Sequence, residues 1–275
     1  MKRLIVNADD FGMTSGVNRA VVECYQRGTV TSTTLLVNGE AAVEAALLAA
    51  DNQGLGVGLH LNLTAGAPTS SSGSVSSLTG PDGLFPGMGQ ALWRLTSGGA
   101  RTHEIEEEIR AQVERMVQLG LRPTHIDSHH HLHAHPRLRS IIKRVCPRMG
   151  ITSMRGFRMP FRNPKAVAVA LAARMPSSGP SLKTPDRFSG IEVMGNKEMT
   201  AALSHDLMAS GDALEFMCHP GYTDDRLASV TSYNSAREAE LKQLLADDFL
   251  AAIERSGVQK ISFAALREGK SNEAG

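Results

Sequence analysis

Cysteine is scarce in this 275-residue chain: Cys24, Cys146 and Cys218 are far apart, and no C-x-x-C pair occurs. That excludes a disulfide framework and a thiolate zinc site, and predicts three buried free thiols. No apolar run reaches the length a membrane span needs. Neither charge dominates, since 29 basic residues are mixed with 28 acidic ones for a formal net charge of +1, so nucleic acid and anionic membranes are not expected partners. A small molecule or an oligosaccharide of little charge suits the chain better. Met1 to Val6 leads directly into a strand-like run without the apolar segment and cleavage site of a signal peptide, so the expected location is cytoplasmic.

What is present is a globular composition, 41% hydrophobic and 21% charged, in a length that one α/β barrel accounts for. The periodicity alternates. Strands are predicted at Leu4–Val6, Thr31–Val37, Leu55–Leu63, Thr124–Ser128, Ile151–Arg155, Ala213–His219 and Val258–Phe263. Between them, helical spacing follows Thr14 as far as Gly28, then recurs at Ala41–Ala50, Glu104–Leu119, Leu138–Val145, Lys165–Arg174, Met199–Ala209 and Ala236–Arg255. Alternation of this kind predicts a parallel sheet covered by helices, and about seven strands favour a distorted or incomplete TIM-barrel-like fold in a single domain, residues 1–275. Two Ser-, Gly- and Pro-rich stretches, Ala65–Gly89 and Met175–Gly190, read as long loops on the active face.

Six of the ten histidines fall between Thr124 and His135, in Thr-His-Ile-Asp-Ser-His-His-His-Leu-His-Ala-His. A solvated loop has little use for so many imidazoles, and a metal site does. A catalytic metal takes about three protein ligands and keeps a position open, so the other polar groups here, among them His125, Asp127, His131 and His133, are expected to orient ligands or meet substrate. Asp9 and Asp10 end the first strand side by side. An isolated Asp-Asp pair can simply cap a turn, but in a hydrolase one carboxylate binds metal while its neighbour takes a proton from water. His60, alone in an apolar strand, reads either as a core histidine or as a ligand. His219, before a Pro-Gly turn, is placed to protonate a leaving amine. Arg155, at a strand end, reads either as a donor to an oxyanion or as an ion-pairing residue.

The segments Asn7-Ala8-Asp9-Asp10-Phe11-Gly12, Val30-Thr31-Ser32-Thr33-Thr34, Gly58-Leu59-His60, Thr124 to His131 and Cys218-His219-Pro220-Gly221-Tyr222 together resemble the motifs of the YdjC-like carbohydrate deacetylases, in the family's order. The resemblance implies a TIM-barrel-like fold, removal of acetyl from an N-acetylated sugar, and a divalent metal, usually magnesium. It matches Asp10, His60 and His129 to the metal ligands, Asp9 to the base and His219 to the proton donor, and it suggests a homodimer. The ligand chemistry itself also admits Zn2+ or another transition metal, because magnesium prefers oxygen and two of the three ligands are imidazoles. The Asp/His set does not name the bond cleaved. A barrel phosphoesterase, or a sugar- or metal-binding protein without turnover, would share it; the first calls for a second full ligand set, and the second has no use for the spare carboxylate.

Overall fold

The computed structural model describes residues 2–158, 164–195, 198–209 and 211–266. The chain runs β1 (Arg3–Phe11), α1 (Ser15–Gln26), β2 (Ser32–Leu35), α2 (Ala42–Asp51), β3 (Gly56–Leu61), α3 (Gly87–Ser97), α4 (Thr102–Gln118) and β4 (Ile126–Ser128). It continues through α5 (Pro136–Val145), α6 (Pro164–Arg174), β5 (Arg187–Ser189), α7 (Met199–Met208), β6 (Ala213–Cys218), α8 (Asp225–Val230), α9 (Ser235–Leu245), α10 (Asp247–Ser256), β7 (Gln259–Lys260) and α11 (Phe263–Leu266).

Every strand pairing is parallel, in the order β4-β3-β2-β1-β6-β5. β3 and β6 are buried at every position, as strands covered on both faces must be. β7 pairs with the start of β1 (Arg3↔Gln259, Leu4↔Lys260), while β2 takes the same strand further on, from Asn7. The sheet curls, and its two outer strands approach across a thin seam: Met154 bridges Ile126, Ser153 bridges Lys183, and the Phe188 amide donates to the Arg158 carbonyl at 2.9 Å. The fold is therefore the incomplete α/β barrel that the alternation predicts.

Several details differ from the sequence reading: α3, α8 and α11 are not among the expected helices, and the strand expected at Val258–Phe263 is confined to Gln259–Lys260, with Phe263 opening α11. The strand expected at Ile151–Arg155 supplies only those bridges, and β5 instead lies inside the stretch expected to be a second loop, at a three-residue segment too short and polar to show periodicity. The long helix expected from Ala236 is two helices, because Ala246 is extended (φ −69°, ψ 145°). Asp247 and Asp248 in the first turn of α10 mark the restart, since carboxylates favour a helix N-terminus. All three cysteines are buried and free, as expected. Among the described residues no helix is long and apolar enough to cross a membrane.

Candidate active site

β1 carries its apolar residues into the core up to Ala8 and then leaves regular pairing: its register with β2 shifts between Ala8 and Phe11, and Asp10 takes φ +69°. In a regular strand Asp9 and Asp10 would point to opposite faces. The irregularity re-aims them so that both line one pocket at the C-terminal end of the sheet. The left-handed conformation is one that Asp tolerates better than most residues. Gly12 (φ +89°) completes the turn where a side chain would meet Leu35 and the Leu36 carbonyl within 3 Å.

Asp10 is the focus of the pocket. Its Oδ1 lies 3.2 Å from His60 Nε2, on β3, and 2.9 Å from His129 Nδ1, just after β4. Neither contact has hydrogen-bond geometry, and this buried oxygen has no hydrogen-bond partner. Three ligand atoms thus converge on one another. The other carboxylate oxygen is held by Arg237 Nη2 at 2.5 Å. His60 is oriented from behind, its Nδ1 lying 2.6 Å from Asp127 Oδ1 and 3.0 Å from Thr34 Oγ1, which leaves Nε2 facing the focus. His129 reaches Asp10 because the chain after it folds through two left-handed residues, His130 (φ +58°) and His131 (φ +56°), instead of continuing the strand.

Asp9 lies beneath this focus and is firmly paired. Arg155 donates to both of its oxygens, at 2.7 and 2.6 Å, and Asn7 adds a third bond at 2.8 Å. The same fully buried guanidinium reaches Asp127 at 2.9 Å and Glu215 at 2.7 Å. Burial raises the Asp9 pKa, but Arg155 outweighs it and holds the carboxyl far below its usual range. Glu215 goes the other way: burial outweighs its bond to Arg155 and pushes it up to about 8. His219 closes the pocket beside Asp9, with Nε2 at 3.9 Å from Oδ2. Its backbone N–H donates to Glu240 at 2.6 Å, its ring packs edge-on against Tyr233, and the Tyr233 hydroxyl donates to Glu240. Burial lowers the His219 pKa.

A divalent cation fits these residues. The donor set is one carboxylate and two imidazoles within 4.8 Å of one another, with the oxygen otherwise unbonded. Charge agrees. Three carboxylates (Asp9, Asp10, Asp127) face two guanidiniums (Arg155, Arg237) in direct contact, an excess of negative charge that does not depend on Glu215, which burial pushes up to about 8. Burial disfavours charge on His60, yet Asp127, Asp10 and Asp9 still raise it to about 10, a sign of how strongly the site favours positive charge. A second cluster, Asp9, His60 and Asp127, has similar spacing, but Arg155 already lies between its two carboxylates.

The sequence candidates therefore separate. Asp9, Asp10, His60, His129, His131 and His219 line one pocket of about 160 Å3, and Asp127 supports it from behind. Arg155 lies below the floor with its donors engaged by carboxylates, so the ion-pairing alternative is the one realised. His125 and His133 are not pocket residues. His125 sits before β4, toward the opposite end of the barrel, stacked on Phe263 (centroids 3.7 Å) where Gly58 leaves room for it. His133 is bonded to Ser128 Oγ at 2.6 Å and packs on Phe157. Burial lowers both imidazoles well below the usual histidine pKa, so both are neutral core groups. Of the Ala65–Gly89 loop, Ala65 and Gly66 line a neighbouring cavity of about 330 Å3 that shares His129 with the pocket. The Ser-rich part instead lies on α4, where Glu108 accepts from the Thr69 and Ser70 amides and Glu104 from Ser77.

Sequence reasoning missed Arg237, Glu240 and Tyr233. The signal was faint: two charged residues three apart in a helix read as a solvated face, whereas here Arg237, Glu240, Leu241 and Leu244 form the buried one.

Comparison with known proteins shows which family the chain is similar to. The model of the family described as YdjC-like protein matches residues 3–255. A carbohydrate deacetylase from Geobacillus stearothermophilus is 40% identical over 94% of this chain and 96% of its own. A chitooligosaccharide deacetylase from Salmonella paratyphi B is 38% identical over 94% and 97%. Among solved structures, an Enterococcus faecalis V583 protein provisionally assigned to cellobiose-phosphate cleavage superposes with a TM-score of 0.80 at 26% identity, over 96% of this chain and 98% of that one. With the family model spanning most of the chain and relatives this similar end to end, the chain belongs to the YdjC-like family.

Proposed function

We propose that this chain is a metal-dependent hydrolase that removes the acetyl group from an N-acetylated sugar, with N-acetylglucosamine oligosaccharides as the substrate class. The observation that carries the reading is the division of labour at the end of β1: Asp10 faces two imidazoles, while Asp9, one residue away, faces His219. The names of the similar proteins supply the bond and the sugar; the geometry supplies the means.

Asp10, His60 and His129 would hold the cation, Mg2+ by family likeness and Zn2+ by the imidazole content of the site. When bound, a divalent cation supplies Lewis-acid polarisation of the acetamide carbonyl and a more acidic water. Asp9, kept ionised by Arg155, accepts the proton of the attacking water without first losing one of its own. His219, neutral when free because burial lowers its pKa, lies 3.9 Å from Asp9, a span that one water bridges, to receive that proton and deliver it to the departing amine. Tyr233 packs edge-on against the imidazole, and Glu240 holds the His219 backbone. Arg155 is spent on carboxylates, so the protein's donor to the developing oxyanion is Arg237: it lines the pocket, and its buried Nη1 has no protein partner.

A two-metal phosphoesterase finds less support, since among the described residues the other candidate cluster is already bridged by Arg155. The test is acetate release from diacetylchitobiose, with and without chelator and after metal is returned. Release that depends on metal supports the reading; no release from any N-acetylated sugar in a panel overturns it.

A further inference from the structure

A cavity of about 430 Å3 lies outside the seam, between α5, α6 and the chain around Ser177–Thr184, and it shares no lining residue with the Asp10 pocket. Four cations line it: Arg139, Lys143, Arg158 and Arg174. Among the described residues that line it, none is Asp or Glu. This is local, because the chain as a whole carries a net charge of only +1.

Arg139 makes the arrangement unusual. It is buried, and its three hydrogen bonds all run to uncharged oxygens: Ala134 carbonyl at 2.8 Å, Met175 carbonyl at 2.5 Å and Ser177 Oγ at 3.0 Å. Elsewhere the buried arginines, Arg155 and Arg237, meet carboxylates. Neither Lys143 nor Arg158 has an ion pair among the described residues, whereas Arg144, next along α5, pairs with Glu106. Like charges brought together around a desolvated guanidinium oppose folding unless an anion joins them. The walls add hydroxyls from Ser181 and Thr184 and the ring of Phe157. The volume is that of a small-molecule site rather than of a single-ion nest.

We propose that this cavity binds a small phosphomonoester, its dianion set among Arg139, Lys143 and Arg158 and its organic part against the hydroxyls and Phe157. Several cations lining one cavity match a phosphate better than a carboxylate, because a phosphate offers more charge and more acceptor oxygens. The proposal is independent of the deacetylase reading.

The test is calorimetric titration of the full chain with glucose 6-phosphate, inorganic phosphate and glucose at matched ionic strength, comparing the parent with the double variant Lys143→Gln/Arg158→Gln. Both side chains are at least partly exposed, so the variant should fold, and a melting curve checks that it does. Saturable binding of glucose 6-phosphate, weakened roughly tenfold or more in the variant, is the expected result. Inorganic phosphate binding as tightly, with the same loss in the variant, supports the anion site and assigns the affinity to the phosphate group alone. The proposal is overturned if neither phosphate probe saturates the parent, if the double variant binds them as the parent does, or if glucose binds as tightly as its phosphate.

Discussion

Replacing Asp9 by Asn removes a negative charge from the pocket floor while keeping nearly the same shape, and the structure says how much should follow. Breaking a buried ion pair by removing one partner costs about 3–5 kcal/mol. Here the cost belongs at the low end, about 3 kcal/mol, because the Asn carbonyl can still accept one Arg155 N–H, and Arg155 keeps Asp127 at 2.9 Å and Glu215 at 2.7 Å. Against a typical domain stability of about 5–15 kcal/mol, the variant remains folded at room temperature. Metal binding should hardly change, since Asp10, His60 and His129 are intact. Turnover should fall. General bases contribute about 10²- to 10⁴-fold, and because Arg155 makes Asp9 a weak base, the expected loss is close to a hundredfold. Asp10→Asn should do the reverse to the metal, weakening it by more than the roughly 10- to 100-fold that a supporting residue commands. Metal titration, a melting curve and acetate release at saturating metal, run on both variants, separate the roles. Loss of metal from Asp9→Asn with retention by Asp10→Asn would refute the ligand assignment. Deacetylation by Asp9→Asn at the parent rate would refute the base.

Asp127→Asn should lower metal affinity about 10- to 100-fold by loosening the orientation of His60, and an unchanged metal titration would show that the 2.6 Å bond does not position the ring. Arg237→Lys should lower kcat more than it raises KM, because Lys cannot both hold Asp10 and present a second donor; a pure KM effect would place Arg237 in ground-state binding instead. Gly58→Ala should destabilise the fold by about 1–3 kcal/mol, since the new methyl group would lie 2.4 Å from the His125 ring, itself stacked on Phe263; a parent-like urea midpoint would show that this layer can yield. Glu104 predicts a pH effect on the Ser-rich loop. Burial raises its pKa, but the Ser77 amide and Arg101 outweigh burial and depress it below the ordinary 4.5, so its contribution is present above that value and is lost as pH falls through the folded-state pKa. Hydrogen exchange at the Ser77 amide, corrected for intrinsic rates, should therefore lose protection below about pH 4.5, and protection that is flat into strong acid would contradict this anchoring.

Much of this was legible in the sequence because the pocket is built where strands end. A carboxylate pair after Val6, a His inside an apolar strand and a His before Pro-Gly are local signals, and the barrel brings local signals to one face. The histidine-rich segment was legible only as a group. His129 and His133 look alike on paper, yet one faces Asp10 and the other lies under the site against Phe157, because two left-handed residues between them turn the chain. Arg155 was ambiguous for another reason: its role depends on Glu215, sixty residues away, and on Asp9, at the far end of the sequence. Arg237 was illegible, since its buried helical face carries charge where the pattern predicts apolar side chains. The break between α9 and α10 has no Gly or Pro to announce it.

The place of β1 in the sheet has a consequence for how the chain is made. It is the strand that β2, β6 and β7 all join, yet its partner on one whole side, Ala213–Cys218, is encoded roughly 210 residues after it. At about 5–20 residues per second, a ribosome needs on the order of 10–40 s to cover that interval. During it, the edge of Arg3–Ala8 that β6 will cover has no native partner, and Asp9 lacks Glu215 and His219 for company. A strand that leaves the exit tunnel well ahead of its β6 partner is thus enclosed late, and nascent chains that stall before residue 213 should offer this apolar edge to chaperones.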